Sequence, residues 1–340
     1  MLFNVIKLSR FLKTMASPNM KAIQIKNAGG PEVLKYEEIP RPEITEPDDV
    51  LIKNHFMGVN FIDIYHRSGD YKIPLPAVLG REGAGVVDSV GNNVKDIVPG
   101  NQVVYFGSPS YAEYTKASSK YVFKLPEGID TKTAAASLLQ GLTAYTFVTQ
   151  AYSVKKGDWI LIQAAAGGVG GLLTQLVKSF GAHVIGTVSS PEKAELAKKS
   201  GAEHVINSTS QDIVKEVMQI TNNEGVHAVY DGVGKATLET SLTCIRRLGS
   251  LISYGNASGM IPPFNIYKLS EKNIKLARPS LGNYIYTKEE FQQYTKELFD
   301  LIINGKLNIK IWKIYKLNEV RQAHEDLAQR KTTGKLLLEP

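Results

Sequence analysis

Cysteine is nearly absent from this chain of 340 residues. Cys244 stands alone, so no internal disulfide can form and no multi-cysteine zinc site can be built. The six histidines, His55, His66, His183, His204, His227 and His324, never pair at i, i+3 or i, i+4, and no HExxH occurs. No metal site is therefore expected. No apolar run reaches the roughly 18–20 residues that a membrane-spanning helix needs, and no repeat of solenoid or propeller period is present. Acids are missing from the start of the chain: the first is Glu32, whereas Lys7, Arg10 and Lys13 precede it. Those three account for +3 of the net +7 and leave a body of +4, a mild surplus that does not by itself indicate a nucleic-acid partner.

Residues 1–19 therefore form a basic N-terminal extension. MLFNVIKLSRFLKTMASPNM is basic, partly apolar and hydroxyl-bearing, as mitochondrial presequences are, and Lys7 and Arg10 break its apolar stretch against a secretory signal. The expected compartment is the cytoplasm, with mitochondrial delivery as the alternative that this extension raises. The rest is an ordinary globular mix, 43% hydrophobic and 21% charged, long enough for two domains.

From Lys21 to about Leu142 short apolar runs (VLIKNHFMGV, GAGVVDSVG, NQVVYF, YAEYT) alternate with Gly and Pro punctuation. This predicts a compact, barrel-like β domain with few helices. From Trp159 the rhythm changes. WILI, HVIGTV, HVIN, HAVYD and LISYG read as strands separated by helical stretches, which predicts parallel βαβ units and a doubly wound sheet. A helix with apolar positions Phe291, Tyr294, Leu298, Leu301 and Ile302, another around Glu319–Ala328 and a last strand, KLLLE, follow. The last strand is expected to rejoin the β domain.

The most informative stretch is WILIQAAAGGVGGLLTQLVKSFGA. A strand over Trp159–Ile162 runs into Ala165-Ala166-Gly167-Gly168-Val169-Gly170, and a helix with one apolar face follows. This is a dinucleotide-binding turn in which Ala165 replaces the first glycine of GxGxxG. Gly167 would let backbone N–H groups approach a pyrophosphate at the helix N-terminus, and Gly170 would let helix and strand pack closely. Gly181 stands where a left-handed helix cap is wanted. An NAD site places an acid at the tip of the second strand; here that tip is Thr187-Val188-Ser189-Ser190, with Lys193 on the next helix. Hydroxyls and a cation suit a 2′-phosphate, so the expected cofactor is NADPH.

These motifs together resemble the zinc-free quinone oxidoreductases of the medium-chain dehydrogenase/reductase superfamily, the zeta-crystallin-like group. The resemblance covers residues 20–340. It rests on Asn60-Phe61-Ile62-Asp63-Ile64-Tyr65-His66-Arg67-Ser68-Gly69, on Gly80-Arg81-Glu82-Gly83-Ala84-Gly85-Val86-Val87 through Val90-Gly91, and on Gln140-Gly141-Leu142-Thr143-Ala144. Ala164 to Gly170, Ser253-Tyr254-Gly255-Asn256-Ala257-Ser258-Gly259 and Arg278-Pro279-Ser280-Leu281 complete it. It implies an α/β chain: a GroES-like β-rich catalytic domain (20–143 and 286–340) and a Rossmann doubly wound parallel sheet that binds NADPH (144–285). Zinc-dependent members carry a Cys near Asn60 and a His near Arg81, and this chain has neither.

The resemblance further implies that Asn60, Tyr65, Thr143, Ala166, Gly167, Gly168, Val169 and Gly170 line the nicotinamide and pyrophosphate. Lys193, beside Ser189, would contact the 2′-phosphate; Ser208 and Arg330 occupy places where relatives use other cofactor contacts, and Val233, Gly255, Asn256, Ser280 and Lys335 are further candidates along the cleft. A quinone would be reduced between the domains, Tyr65 bonding its oxygen beside Asn60. Arg278 would either stabilise developing charge or form a structural ion pair. Asp63 is read as a helix-capping or buried hydrogen-bonding group rather than a base. The alternatives are reduction of an activated C=C bond in 2-alkenals or enoyl thioesters, and an NADPH-binding protein that also binds AU-rich RNA. A homodimer through the cofactor domain is implied, with the strand near Leu251–Tyr254 as the pairing edge.

Overall fold

The computed structural model describes residues 18–340. Nearly all of the basic extension therefore lies outside the described residues. The chain opens with β1 (Asn19–Ile25), β2 (Lys35–Pro40) and β3 (Asp49–Val59), then α1 (Phe61–Ser68), β4 (Ala77–Val78), β5 (Glu82–Val90), β6 (Gln102–Phe106), β7 (Tyr114–Ser118) and β8 (Val122–Lys124). α2 (Thr131–Thr146) leads through a π-type turn at Phe147–Ala151 into β9 (Trp159–Ile162). There follow α3 (Gly168–Ser179), β10 (His183–Val188), α4 (Pro191–Lys199), β11 (His204–Asn207), α5 (Ile213–Ile220), β12 (Val226–Asp231), α6 (Leu238–Cys244), β13 (Ile245–Ser253) and β14 (Lys275–Ala277). The last elements are α7 (Leu281–Tyr284), α8 (Lys288–Ile303), β15 (Ile311–Lys316), α9 (Val320–Ala328) and β16 (Lys335–Glu339).

Two sheets, β2-β1-β4 and a seven-stranded one in the order β15-β16-β3-β5-β6-β8 with β7 on β3, form the β-rich, GroES-like body. β16 pairs antiparallel with β3, Leu336 opposite Val59, so the C-terminal strand does rejoin the N-terminal part. The other body is a six-stranded parallel sheet in the order β11-β10-β9-β12-β13-β14, with helices joining its strands. This is the Rossmann order, and its switch point falls between β9 and β12. The middle strands are covered on both faces; Ile160, Leu161 and Ile162 have no exposed surface. That is why WILI reads as an unbroken apolar run.

Two expectations need correction. The span to Leu142 was expected to hold few helices, yet α2 is 16 residues long and runs across the 143/144 boundary. It is buried on most sides, from Ala134 to Leu138 and from Gly141 to Ala144, and packs in one core with Ala84 and Val104 of the β body and Ile160 and Leu173 of the parallel sheet. A helix covered almost all round has no polar stripe and so no readable period. The strand near Leu251–Tyr254 is not the sheet edge. β14 pairs with it, Leu276 opposite Leu251 and Ala277 opposite Ile252, and β14 is the edge.

Candidate active site

At the carboxyl end of β9 the backbone turns through Ala164, which takes a left-handed φ of 55°. Thr187 at the end of β10 holds this turn: its Oγ1 accepts from Ala164 N at 3.1 Å and its carbonyl accepts from Ala165 N at 2.9 Å. The same hydroxyl donates to Gln163 Oε1 (2.7 Å), Gln163 Nε2 donates to Ser241 Oγ (3.1 Å), and Ser241 donates to Asp231 Oδ2 (2.8 Å). This buried relay ties the tips of β9, β10 and β12 together. Sequence reasoning missed it, because its members are single polar residues inside strands and helices with no motif.

Gly167 precedes α3 and supplies no side-chain cap, so the first-turn N–H groups of Gly168, Val169 and Gly170 face outward from the helix start. A Cβ on Gly170 would stand 2.3 Å from the Ala164 carbonyl oxygen, which accounts for the third glycine of the turn. Ala166 is half-buried beside it.

The tip of β10 is built as an anion corner. Ser190 caps α4, accepting from Lys193 N at 3.3 Å. Lys193 Nζ donates to Ser189 Oγ (3.2 Å) and to the carbonyl of Arg330 (2.7 Å), and Arg330 donates from its guanidinium to Ala257 O (2.7 Å). Ser208 donates to the Val188 carbonyl at 2.9 Å. Ser189 and Lys193 thus meet at this corner, and Arg330 and Ser208, expected as other cofactor contacts, lie beside them. Burial and the neighbouring Arg330 charge hold the Lys193 ammonium below its ordinary pKa. Among the described residues no carboxylate pairs with Lys193, so a bound phosphate would supply the missing counter-charge.

The facing wall comes from α1. Asn60 N donates to Asp63 Oδ2 (2.8 Å), which caps the helix as expected of Asp63. Tyr111 donates to the same oxygen at 2.8 Å. Asn60 Nδ2 donates to Glu82 Oε1 (2.8 Å), and Lys335 Nζ reaches Asn60 Oδ1 (2.7 Å) and the Glu82 carboxylate. Lys335 is fully buried, so it lies beneath Asn60 and not on the cleft surface. Thr143 is buried on α2.

Tyr65 approaches the loop after β13. Its hydroxyl oxygen accepts from Asn256 N at 3.0 Å, and burial raises its pKa, so it stays a neutral phenol at working pH. Arg278 donates to Ser253 Oγ (3.1 Å), Gly255 O (3.2 Å) and Tyr71 Oη (3.1 Å). The Asn256 amide turns its oxygen to Arg278 (2.9 Å) and Tyr71 (3.2 Å). All four partners of the Arg278 fork are neutral, so among the described residues the ion-pair reading does not hold and the cationic charge is left unneutralised. Gly255 allows the loops after β12 and β13 to touch, since a Cβ there would lie 2.3 Å from Gly232 O. Val233 is held by Asp231, which accepts from its N–H at 2.9 Å. Ser280 is exposed at the start of α7, without a side-chain cap bond. Tyr71, its ring 5.1 Å from that of Tyr65, was not anticipated; its position beyond α1 carries no spacing signal.

Comparison with known proteins agrees with this geometry. Residues 46–127 match the alcohol dehydrogenase GroES-like domain and residues 168–300 match the zinc-binding dehydrogenase model. A probable quinone oxidoreductase of Schizosaccharomyces pombe is 44% identical over 93% of this chain and 96% of its own. A crystal structure of Escherichia coli quinone oxidoreductase complexed with NADPH superposes with a TM-score of 0.91 at 40% identity, covering 94% of this chain and all of that one. A 2-haloacrylate reductase of Burkholderia is 37% identical over 94% of this chain and 98% of its own.

Proposed function

The chain belongs to the zinc-free quinone oxidoreductases of the medium-chain dehydrogenase/reductase superfamily, and on that premise we propose that the cleft between Lys193 and Tyr65 is the site of its reaction. It is an NADPH-dependent quinone reductase. The observation that carries the reading is the tip of β10, where Lys193, Ser189 and Arg330 converge and the neighbouring, exposed Glu192 carboxylate bonds to Ser190 rather than to Lys193.

NADPH, when bound, supplies the two reducing equivalents. The residues fit it: the uncapped start of α3 takes the pyrophosphate, and Lys193, Ser189, Ser208 and Arg330 take the 2′-phosphate end. Asn60, Thr143, Ala166, Val233, Gly255 and Ser280 line the path between. Because Tyr65 accepts from Asn256 N, its own proton is left to donate to an acceptor oxygen. Arg278, unneutralised and fixed by four neutral oxygens, stabilises negative charge that develops there. A quinone needs no further activation, since its conjugated carbonyls accept electrons readily. If the purified chain neither quenches NADPH fluorescence nor oxidises NADPH with 1,2-naphthoquinone, this reading is wrong.

A second reading is supported by the kinship to a 2-haloacrylate reductase: reduction of an activated C=C bond in the same cleft, with Tyr65 as proton donor. Turnover of a panel of quinones against enals separates the two. Pairing of two copies through the cofactor sheet has support in the open outer edge of β14 and in the exposed Ile266, Tyr267 and Leu276 near it. A Leu276→Asp variant that keeps the wild-type mass in light scattering refutes this edge. RNA binding has only the mild basic surplus behind it; failure of NADPH to compete with an AU-rich oligonucleotide removes it. Among the described residues no helix is long and apolar enough to cross a membrane.

A further inference from the structure

α2 is buried on most sides, yet Gln140 in its middle is long, polar and only half-buried. Its carboxamide offers two N–H donors and an acceptor oxygen. Among the described residues no group forms a hydrogen bond with that carboxamide. A partly desolvated amide without a partner is unfavourable, and an apolar side chain of the same size would fill a seam between helices at less cost.

The amide lies against the first residue of α3. A Cβ on Gly168 would stand 2.5 Å from Gln140 Nε2 and 2.6 Å from its Oε1. The backbone of Gly168 is not left-handed, so it is space and not conformation that calls for glycine there. Gln140 thus occupies the room that a side chain at the mouth of the nucleotide turn would take. It does not cap the helix, because α3 begins without a side-chain cap bond. The first N–H groups of α3 and the Gln140 amide are therefore free together, side by side.

The amide is also held from behind. Leu139 N donates to Glu82 Oε2 at 2.7 Å, and the same buried carboxylate receives Asn60 Nδ2 at 2.8 Å and Lys335. The turn of α2 that presents Gln140 is tied to the group that fixes Asn60. Thr143, three residues on, shares that face of the helix. Because α2 packs in one core with both bodies, Gln140 reaches the turn from the domain junction, whereas Lys193 reaches the nucleotide from the tip of β10.

We propose that Gln140 is a cofactor-binding residue whose amide N–H donates to the pyrophosphate on its nicotinamide side, so that the dinucleotide is gripped from both domains. A hydrogen bond to an ionised phosphate is of the stronger, charge-assisted kind. The inference rests on the NADPH reading of the α3 start and deepens it.

The test reads binding and needs no turnover. Calorimetric titration gives Kd for NADPH and for adenosine 2′,5′-bisphosphate, which carries the 2′-phosphate and one 5′-phosphate but no nicotinamide half. Gln140→Leu keeps the bulk and removes the donor; it should weaken NADPH at least fivefold and leave the bisphosphate within twofold, which also shows that the variant is folded. Gln140→Glu keeps the shape and adds a charge; it should weaken NADPH at least 20-fold, with part of the loss recovered at high salt. NADPH bound by Gln140→Leu within twofold of wild type overturns the proposal, and so does equal weakening of both ligands, which would place the effect at the adenosine end or in the fold. Wild type that binds neither ligand refutes the underlying cofactor reading instead.

Discussion

Reversing the charge at the β10 tip tests the cofactor assignment most directly. Lys193→Glu removes the ammonium that bridges Ser189 Oγ and the Arg330 carbonyl and places a carboxylate where the 2′-phosphate should lie. Loss of a charge-assisted hydrogen bond costs about 1.5–3 kcal/mol. Two like charges about 4 Å apart near a surface add about 4 kcal/mol before screening. Lys193 is only partly buried, so salt and side-chain movement remove half of that or more. The sum, about 3–5 kcal/mol, corresponds to a fall of about 100-fold or more in the ratio of kcat/KM for NADPH over NADH. Lys193→Met, which forfeits only the attraction, should lose about 10- to 100-fold. Most of the change belongs in KM for NADPH, because the contact is far from the reacting atoms and is made equally in ground and transition states. Steady-state oxidation of both nucleotides with one quinone gives the ratio. If both variants keep the wild-type ratio within threefold, Lys193 is not in the site and the absence of an acid at the β10 tip has been misread.

Three further outcomes follow from buried contacts. Lys335→Met leaves the Glu82 carboxylate buried without its cation and should destabilise by about 3–5 kcal/mol in chemical denaturation, with much of the loss recovered in Lys335→Met/Glu82→Gln. Recovery that fails would mean that the lysine stem, not its charge, is what matters. Gly170→Ala forces a Cβ to within 2.3 Å of a backbone oxygen, so a loss of about 1–3 kcal/mol and weaker NADPH binding are expected; a wild-type Tm would contradict the packing. Burial pushes Asp63 up to about 7 from 3.8, so its folded form keeps the proton longer and stability falls as pH rises through that window. His324, held down to about 3 from 6.5 by burial, has the opposite slope, its contribution being lost as pH falls through about 6.5 towards 3. The two oppose each other in wild type, and Asp63→Asn should leave a Tm that climbs more steeply with pH between about 4 and 6.5; an unaltered slope in scanning calorimetry refutes this.

What could be read from the sequence, and what could not, divides along physical lines. β10 and β16 begin and end where HVIGTV and KLLLE do, and Gly181 takes the left-handed φ of 75° that its place after α3 called for. Those features are local: buried parallel strands are continuous apolar runs, and a cap needs only its own backbone. The nucleotide turn and the Ser189–Lys193 pair were legible for the same reason, being carried on one short segment each. Lys335 was not. A lysine opening a strand reads as exposed, and only the arrival of Glu82 from a strand two places away in the sheet makes its burial tolerable. The missing edge strand and the open question over Arg278 are one error seen twice. β14 is three residues, Lys275-Leu276-Ala277, too short for any period to show. Once it pairs with β13, however, the register that sets Ala277 opposite Ile252 delivers the next residue, Arg278, beside Ser253 and Gly255. The strand that closes the sheet is therefore also what fixes the guanidinium at the cleft, held by oxygens that leave its charge intact.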